Sequence, residues 1–175
     1  MKQLLIIVDY QNDFVTGSLG FPEAQKLEVS IAEKIYGYRQ RGDEILFTMD
    51  THGSDYLKTQ EGTWLSVEHG IKDTWGWRLT DGIEALREPQ DRCICKSCFG
   101  SAELFSYLQE KTYAQVELVG VVSNICVLSN AVLVKTALPE TPVIVDAFCT
   151  ASNDPILHEK ALDVMEGLQI QVRNR

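Results

Sequence analysis

Short, nearly continuous apolar runs alternate with helix-period segments along this chain, and that alternation constrains its fold more than any other feature. Gln3–Val8 (QLLIIV) is apolar almost throughout, the pattern of a strand covered on both faces. Gln25–Gln40 then places Leu27, Ile31, Ile35 and Tyr38 at close to helical spacing, with Gly42 as a C-terminal stop. Glu44–Thr48 (EILFT) reads as a second strand and Cys93–Cys95 as part of a short third one. Ser101–Lys111 is helical, with Ser101 as N-cap and Ala102, Leu104, Phe105 and Leu108 on its apolar side. Gln115–Val122 is a fourth strand, Asn124–Ala137 a mostly apolar and therefore buried helix, and Pro142–Val145 a fifth strand. Asn153 or Asp154 caps a last helix with Pro155 in its first turn, and Leu168–Val172 is a final strand. Strands alternating with helices predict an α/β, three-layer fold: a mainly parallel sheet of about six strands flanked by helices on both faces.

Such a sheet carries its chemistry beyond the carboxyl ends of its strands. Strand one ends in Val8-Asp9-Tyr10-Gln11-Asn12-Asp13-Phe14. Asp9 alone reads equally as a turn former. Gln11 stands where a phosphatase of the haloacid dehalogenase type would need a second Asp, and no GxGxxG follows the strand. Strand two ends in Asp50-Thr51-His52, whose i, i+2 spacing points both side chains to one side of an extended backbone. Glu61 and His69 follow in a long loop, and two His with carboxylates form a donor set for Zn²⁺, Fe²⁺ or Mn²⁺, although a polar surface loop would look similar. Lys96 follows strand three. Cys126 falls in the first turn after strand four, where free amides and the helix dipole favour a thiolate and supply oxyanion donors. A carboxylate, an amine and a thiol from three strands of one parallel sheet converge on one edge, the minimum set for thiol-based acyl transfer.

Composition narrows the partners. With 175 residues the chain fits a single domain, 1–175. Its formal net charge of -9 argues against nucleic acid and against anionic membrane surfaces, and no apolar run is long enough for a membrane span. The five cysteines form no disulfide framework, and the first residues lack the order of a signal peptide, so a cytoplasmic, reducing location is expected. Cys93, Cys95 and Cys98 are read as ordinary packing rather than a zinc site, since no second pair at suitable spacing accompanies them.

These residues together resemble the isochorismatase-like cysteine hydrolases, and within them the nicotinamidase branch. The likeness rests on Asp9 with Gln11–Phe14, on Lys96, on Gly120–Val127 (GVVSNICV), and on Asp146 and Ala151–Met165 with His158. It implies an Asp9–Lys96–Cys126 triad, a cis peptide between Val121 and Val122, and an oxyanion hole from the Val122 and Cys126 amides. It also implies that Asp50, His52, Glu61 and His69 hold one divalent transition metal, zinc first with iron or manganese as alternatives. Phe14 and Trp64 would then flank the ring of a small amide substrate. The expected activity is hydrolysis of nicotinamide to nicotinate and ammonia through a cysteine thioester. The alternative is another small-amide or carbamoyl hydrolase of the same family, and behind it a non-catalytic binding module or an isochorismatase. A homo-oligomer is expected from the same resemblance.

Overall fold

The computed structural model describes residues 1–175. Six strands, β1 (Leu4–Val8), β2 (Glu44–Asp50), β3 (Arg92–Lys96), β4 (Val116–Val121), β5 (Val143–Ala151) and β6 (Gln171–Arg173), form one sheet in the order β3-β2-β1-β4-β5-β6. Every neighbouring pair is parallel. The helices are α1 (Asn12–Val15), α2 (Pro22–Gln40), α3 (Gln60–Trp64), α4 (Asp81–Glu84), α5 (Ala102–Gln109), α6 (Leu128–Ala137) and α7 (Pro155–Gly167). No helix is long and apolar enough to cross a membrane.

Alternate residues of β1 feed two separate cores, as the two-residue period of a strand requires. Leu4, Ile6 and Val8 join Leu104, Leu108, Ala131, Val134 and Leu162 from α5, α6 and α7. Leu5 and Ile7 join Ala24, Leu27, Ile31 and Ile35 from α2 on the opposite face. The run Leu4–Val8 (LLIIV) is apolar at every step because both of its faces are covered. The strand order reverses direction between β1 and β4, which opens a crevice at their carboxyl ends. Gly120 lets the two strands approach there: its φ is +110°, and a Cβ at this position would overlap the Val8 carbonyl.

Several bounds differ from the sequence reading, each for a visible reason. α2 starts at Pro22 rather than Gln25, because a proline at the first helical position satisfies the helix start that the apolar periodicity alone does not reveal. β5 runs on to Ala151 through a register shift, which turns Phe148 outward. β6 begins at Gln171, since α7 continues to Gly167 and Gln169 takes a positive φ to reverse the chain. The segment Asn124–Ala137 is not one buried helix. Ser123–Val127 is a π-helical turn that passes into α6, and Ile125 and Val132 face outward. Cys93, Cys95 and Cys98 are not core packing but exposed: α2 lies over β1, β2, β4 and β5 and leaves uncovered the face of the edge strand β3 that carries Cys93 and Cys95, and Cys98 lies in the turn beyond that strand.

Candidate active site

Three strand ends deliver the first group of side chains. Asp9 follows β1 directly with φ +48°, a left-handed turn that Asp tolerates better than most residues. Its amide donates to the Thr48 carbonyl at 3.1 Å, and the Thr48 hydroxyl donates to Oδ1 at 2.7 Å. Lys96 closes β3, and its side chain is 1% exposed. Its ammonium lies 2.7 Å from Asp9 Oδ2, 3.2 Å from Asp50 Oδ1, 3.0 Å from the Cys98 carbonyl and 3.4 Å from Cys126 Sγ. Cys126 sits in the π-helical turn that follows β4 and the cis Val121–Val122 peptide. The structure thus brings Asp9, Lys96 and Cys126 together around one ammonium, with Val122 at the head of the same turn.

The electrostatics differ from the thiolate that a helix start suggests. Burial, then the Asp9 carboxylate, pushes the Cys126 thiol well above its ordinary range, and Lys96 offsets this only in part. Burial also raises Asp9 against the opposing pull of Lys96. Lys96 itself is held charged: burial acts against the ammonium, but Asp9, Cys126 and Asp50 outweigh it. The thiol is therefore protonated at rest and would need a base to act as a nucleophile; the Lys96 ammonium touches both it and Asp9.

The second group lies alongside. One donor atom from each of Asp50, His52, Glu61 and His69 falls within 4.8 Å of all the others. His52 Nε2 is 2.9 Å and His69 Nε2 3.5 Å from Asp50 Oδ2, while Glu61 Oε1 is 3.9 Å from His52 Nε2 and 3.4 Å from His69 Nε2. Four nitrogen and oxygen donors about 2.1 Å from a shared tetrahedral ion stand roughly 3.4 Å apart, and the separations of 2.9–3.9 Å seen here bracket that spacing, so the donor set suits a zinc-sized divalent metal. His69 Nδ1 pairs with the Val67 carbonyl at 2.8 Å, which turns Nε2 toward the cluster. Burial alone would raise Asp50, but hydrogen bonds from His52 and His69 and the Lys96 charge hold it well below the usual carboxylate range. Asp50 therefore joins the two groups, with one oxygen on Lys96 and the other on the histidines.

A cavity of about 240 Å³ opens between the groups, lined by Phe14, Leu65, His69, Phe99, Val122 and Cys126 among others. Phe14 reaches it, with its ring 5.5 Å from that of His69. Trp64 does not. At the end of α3 its side chain is 85% exposed, and Leu65 and Phe99 form the wall expected of it. Trp64 instead lines a neighbouring hollow of about 790 Å³.

Sequence reasoning missed two buried amides that hold this frame. Gln11 Nε2 donates to the carbonyls of Asp50 at 2.9 Å and Trp77 at 2.7 Å, while its Oε1 accepts from the Asp50 amide at 2.7 Å. Asn130 Nδ2 donates to the carbonyls of Cys126 at 2.8 Å and Phe99 at 3.0 Å, and its Oδ1 accepts from the Ser101 amide at 3.0 Å. A polar residue inside an apolar helix, four positions after Cys126, was the available signal for the second. His158, the third histidine, pairs through Nδ1 with the Ser123 hydroxyl at 2.9 Å at the base of the π-helical turn.

The isochorismatase domain family matches residues 3–174. A nicotinamidase of Saccharomyces cerevisiae is 25% identical over 96% of this chain and 97% of its own length. An isochorismatase-family protein of Bacillus subtilis, PncA, is 32% identical over 75% of this chain and 78% of its own. The crystal structure of nicotinamidase PncA from Bacillus subtilis superposes with a TM-score of 0.86 at 27% identity, covering 98% of this chain and 99% of that one.

Proposed function

Because the chain belongs to the isochorismatase family, we propose that it is an amide hydrolase of the nicotinamidase type, converting nicotinamide to nicotinate and ammonia through a thioester on Cys126. The observation that carries this reading is the position of Lys96, whose ammonium touches Asp9, Asp50 and Cys126 at once and so ties an acyl-transfer trio to a four-donor metal cluster. The names of the Saccharomyces cerevisiae relative and of the superposed structure agree with it.

Asp9 accepts the thiol proton as Cys126 Sγ attacks the carboxamide carbon. Lys96 offsets the negative charge wherever it sits along this path. The carbonyl electron pair moves to oxygen, where the Val122 and Cys126 amides hold it. As the pair returns, the carbon–nitrogen bond breaks and Asp9 passes its proton to the departing nitrogen, which leaves as ammonia. Asp9 then takes a proton from water, whose oxygen cleaves the thioester, and the acid and the free thiol are released. Phe14, Leu65 and Phe99 enclose the ring and exclude bulk water from the reacting carbon. A divalent metal held by Asp50, His52, Glu61 and His69 would supply a Lewis acid for the ring nitrogen and thereby orient the substrate.

The test is ammonia release from nicotinamide and pyrazinamide by the purified protein, with its metal content measured alongside. Turnover by the wild type and none above background by Cys126→Ala is the expected result. Appreciable deamidation by Cys126→Ala, or no turnover of either amide by the wild type, would overturn the reading.

A further inference from the structure

The hollow beside the catalytic cavity is larger than the cavity itself, about 790 Å³ against about 240 Å³, and the two share walls at Glu61 and Phe99. One side of the hollow is the α3 face with Gln60, Glu61 and Trp64, and the other is the Ser97–Phe99 turn after β3. Two of its residues, Trp64 and Phe99, are large apolar side chains left 85% and 43% exposed. Exposed aromatics that converge on a concave surface beside a reactive centre mark a ligand wall.

Resting on the amidase reading, we propose that this hollow is an acyl-side subsite, and that the preferred substrate is a carboxamide whose ring carries an uncharged aromatic or alkyl extension. Three observations fix the class. Asp9, Lys96 and Cys126, which surround the scissile amide, line none of the hollow, whereas His52 and Glu61 of the metal cluster do. The extension therefore leaves the ring at the cluster end, away from the departing nitrogen. No lysine or arginine lines the hollow, so an anionic extension finds no side-chain cation there. Thr51, Thr59, Gln60 and Ser97 add neutral hydrogen-bonding groups between the aromatic walls, which suits a neutral group with at most a few polar atoms.

The experiment compares nicotinamide with nicotinamides bearing a ring phenyl, a ring butyl or a ring carboxylate, using the metal-loaded protein. The expected kcat/KM is about tenfold or more higher for the phenyl and butyl compounds than for nicotinamide, and lower for the carboxylate. Trp64→Ala is expected to reduce the ratio of kcat/KM for the phenyl compound to that for nicotinamide by about fivefold. This ratio cancels any loss of folded protein. Binding of the same compounds to Cys126→Ala, followed by calorimetry, separates the two claims. Hydrolysis of nicotinamide with no gain from any extension overturns the subsite and leaves the amidase reading standing. Tighter binding of the phenyl compound without hydrolysis of any amide supports the subsite and overturns the amidase reading. Neither binding nor hydrolysis of any compound overturns both.

Discussion

Replacing Lys96 with methionine keeps most of the length of the side chain and removes its charge. In the wild type the ammonium lies 2.7 Å from Asp9 Oδ2, and both side chains are 1% exposed. Removing one partner of a buried ion pair leaves the other charge uncompensated, at a cost of about 3–5 kcal/mol. Here the cost falls on ionised Asp9, which burial already pushes toward its protonated form. A protonated Asp9 cannot accept the thiol proton. At about 1.4 kcal/mol per decade of rate, kcat/KM at neutral pH should fall by roughly two to four orders of magnitude. The loss should shrink as pH rises, because base restores the carboxylate, so the acidic limb of the pH–rate profile moves toward alkali. Lys96→Arg keeps a positive charge and should lose less. The assay is steady-state ammonia release from mildly acidic to alkaline pH, with metal content measured on each variant because Lys96 also lies 3.2 Å from Asp50. A fully metallated Lys96→Met enzyme within about threefold of wild type at neutral pH, or one equally impaired at every pH, would refute this role for the ammonium.

Chelation should abolish amide hydrolysis and lower Tm, with both restored by zinc, iron or manganese; His69→Ala, which leaves Asp50, His52 and Glu61, should weaken metal binding more than about 100-fold by titration. Unchanged turnover after complete metal removal would contradict this. Lys34 bridges the buried carboxylates of Glu117 and Asp146 at 2.6 and 2.5 Å while remaining 28% exposed, so Lys34→Met should cost about 2–3 kcal/mol in urea unfolding at neutral pH, less than a fully buried pair. Burial opposes the Lys34 charge, but its two carboxylate partners prevail and raise its pKa. That contribution is complete below the ordinary lysine range and is lost as pH rises through the folded value, so the wild type should lose stability at alkaline pH more steeply than the variant. Asn130→Ala strands the Cys126 and Phe99 carbonyls and the Ser101 amide; it should lower stability by about 2–4 kcal/mol, and in calorimetry and steady-state assays kcat should drop more than KM rises.

The architecture was legible because its cause is local. A run such as LLIIV is apolar at every step only if both faces are covered, and a strand covered on both faces implies helices above and below a parallel sheet. From that topology it follows that the residues after β1, β2, β3 and β4 share one edge. Asp9, Asp50, Lys96 and Cys126 were therefore nameable from chain position, and His52 from the two-residue period of an extended strand. Helix and strand ends were less legible, since Pro22 and the register shift in β5 act outside the apolar pattern that located the elements.

Side-chain direction within loops belonged to the tertiary structure alone. Trp64 and Leu65 are adjacent in sequence, and which of them enters the cavity depends on the path of the chain after α3. That path is set by the Tyr56 hydroxyl on the Leu65 carbonyl and by a contact distant in sequence, the Asp13 carboxylate on the Gly70 amide. The same holds for Gln11 and Asn130, whose amides each tie together segments that no local pattern pairs. The sign of the Cys126 shift was also decided there. A helix start lowers a thiol pKa when water can reach the sulfur, whereas here burial beside two carboxylates raises it. Sequence by itself determined which reactive groups meet, because the carboxyl ends of the strands of a parallel sheet share one edge. Their protonation, their walls and the space left for a substrate were decided by packing, because burial and distance exist only once the chain is folded.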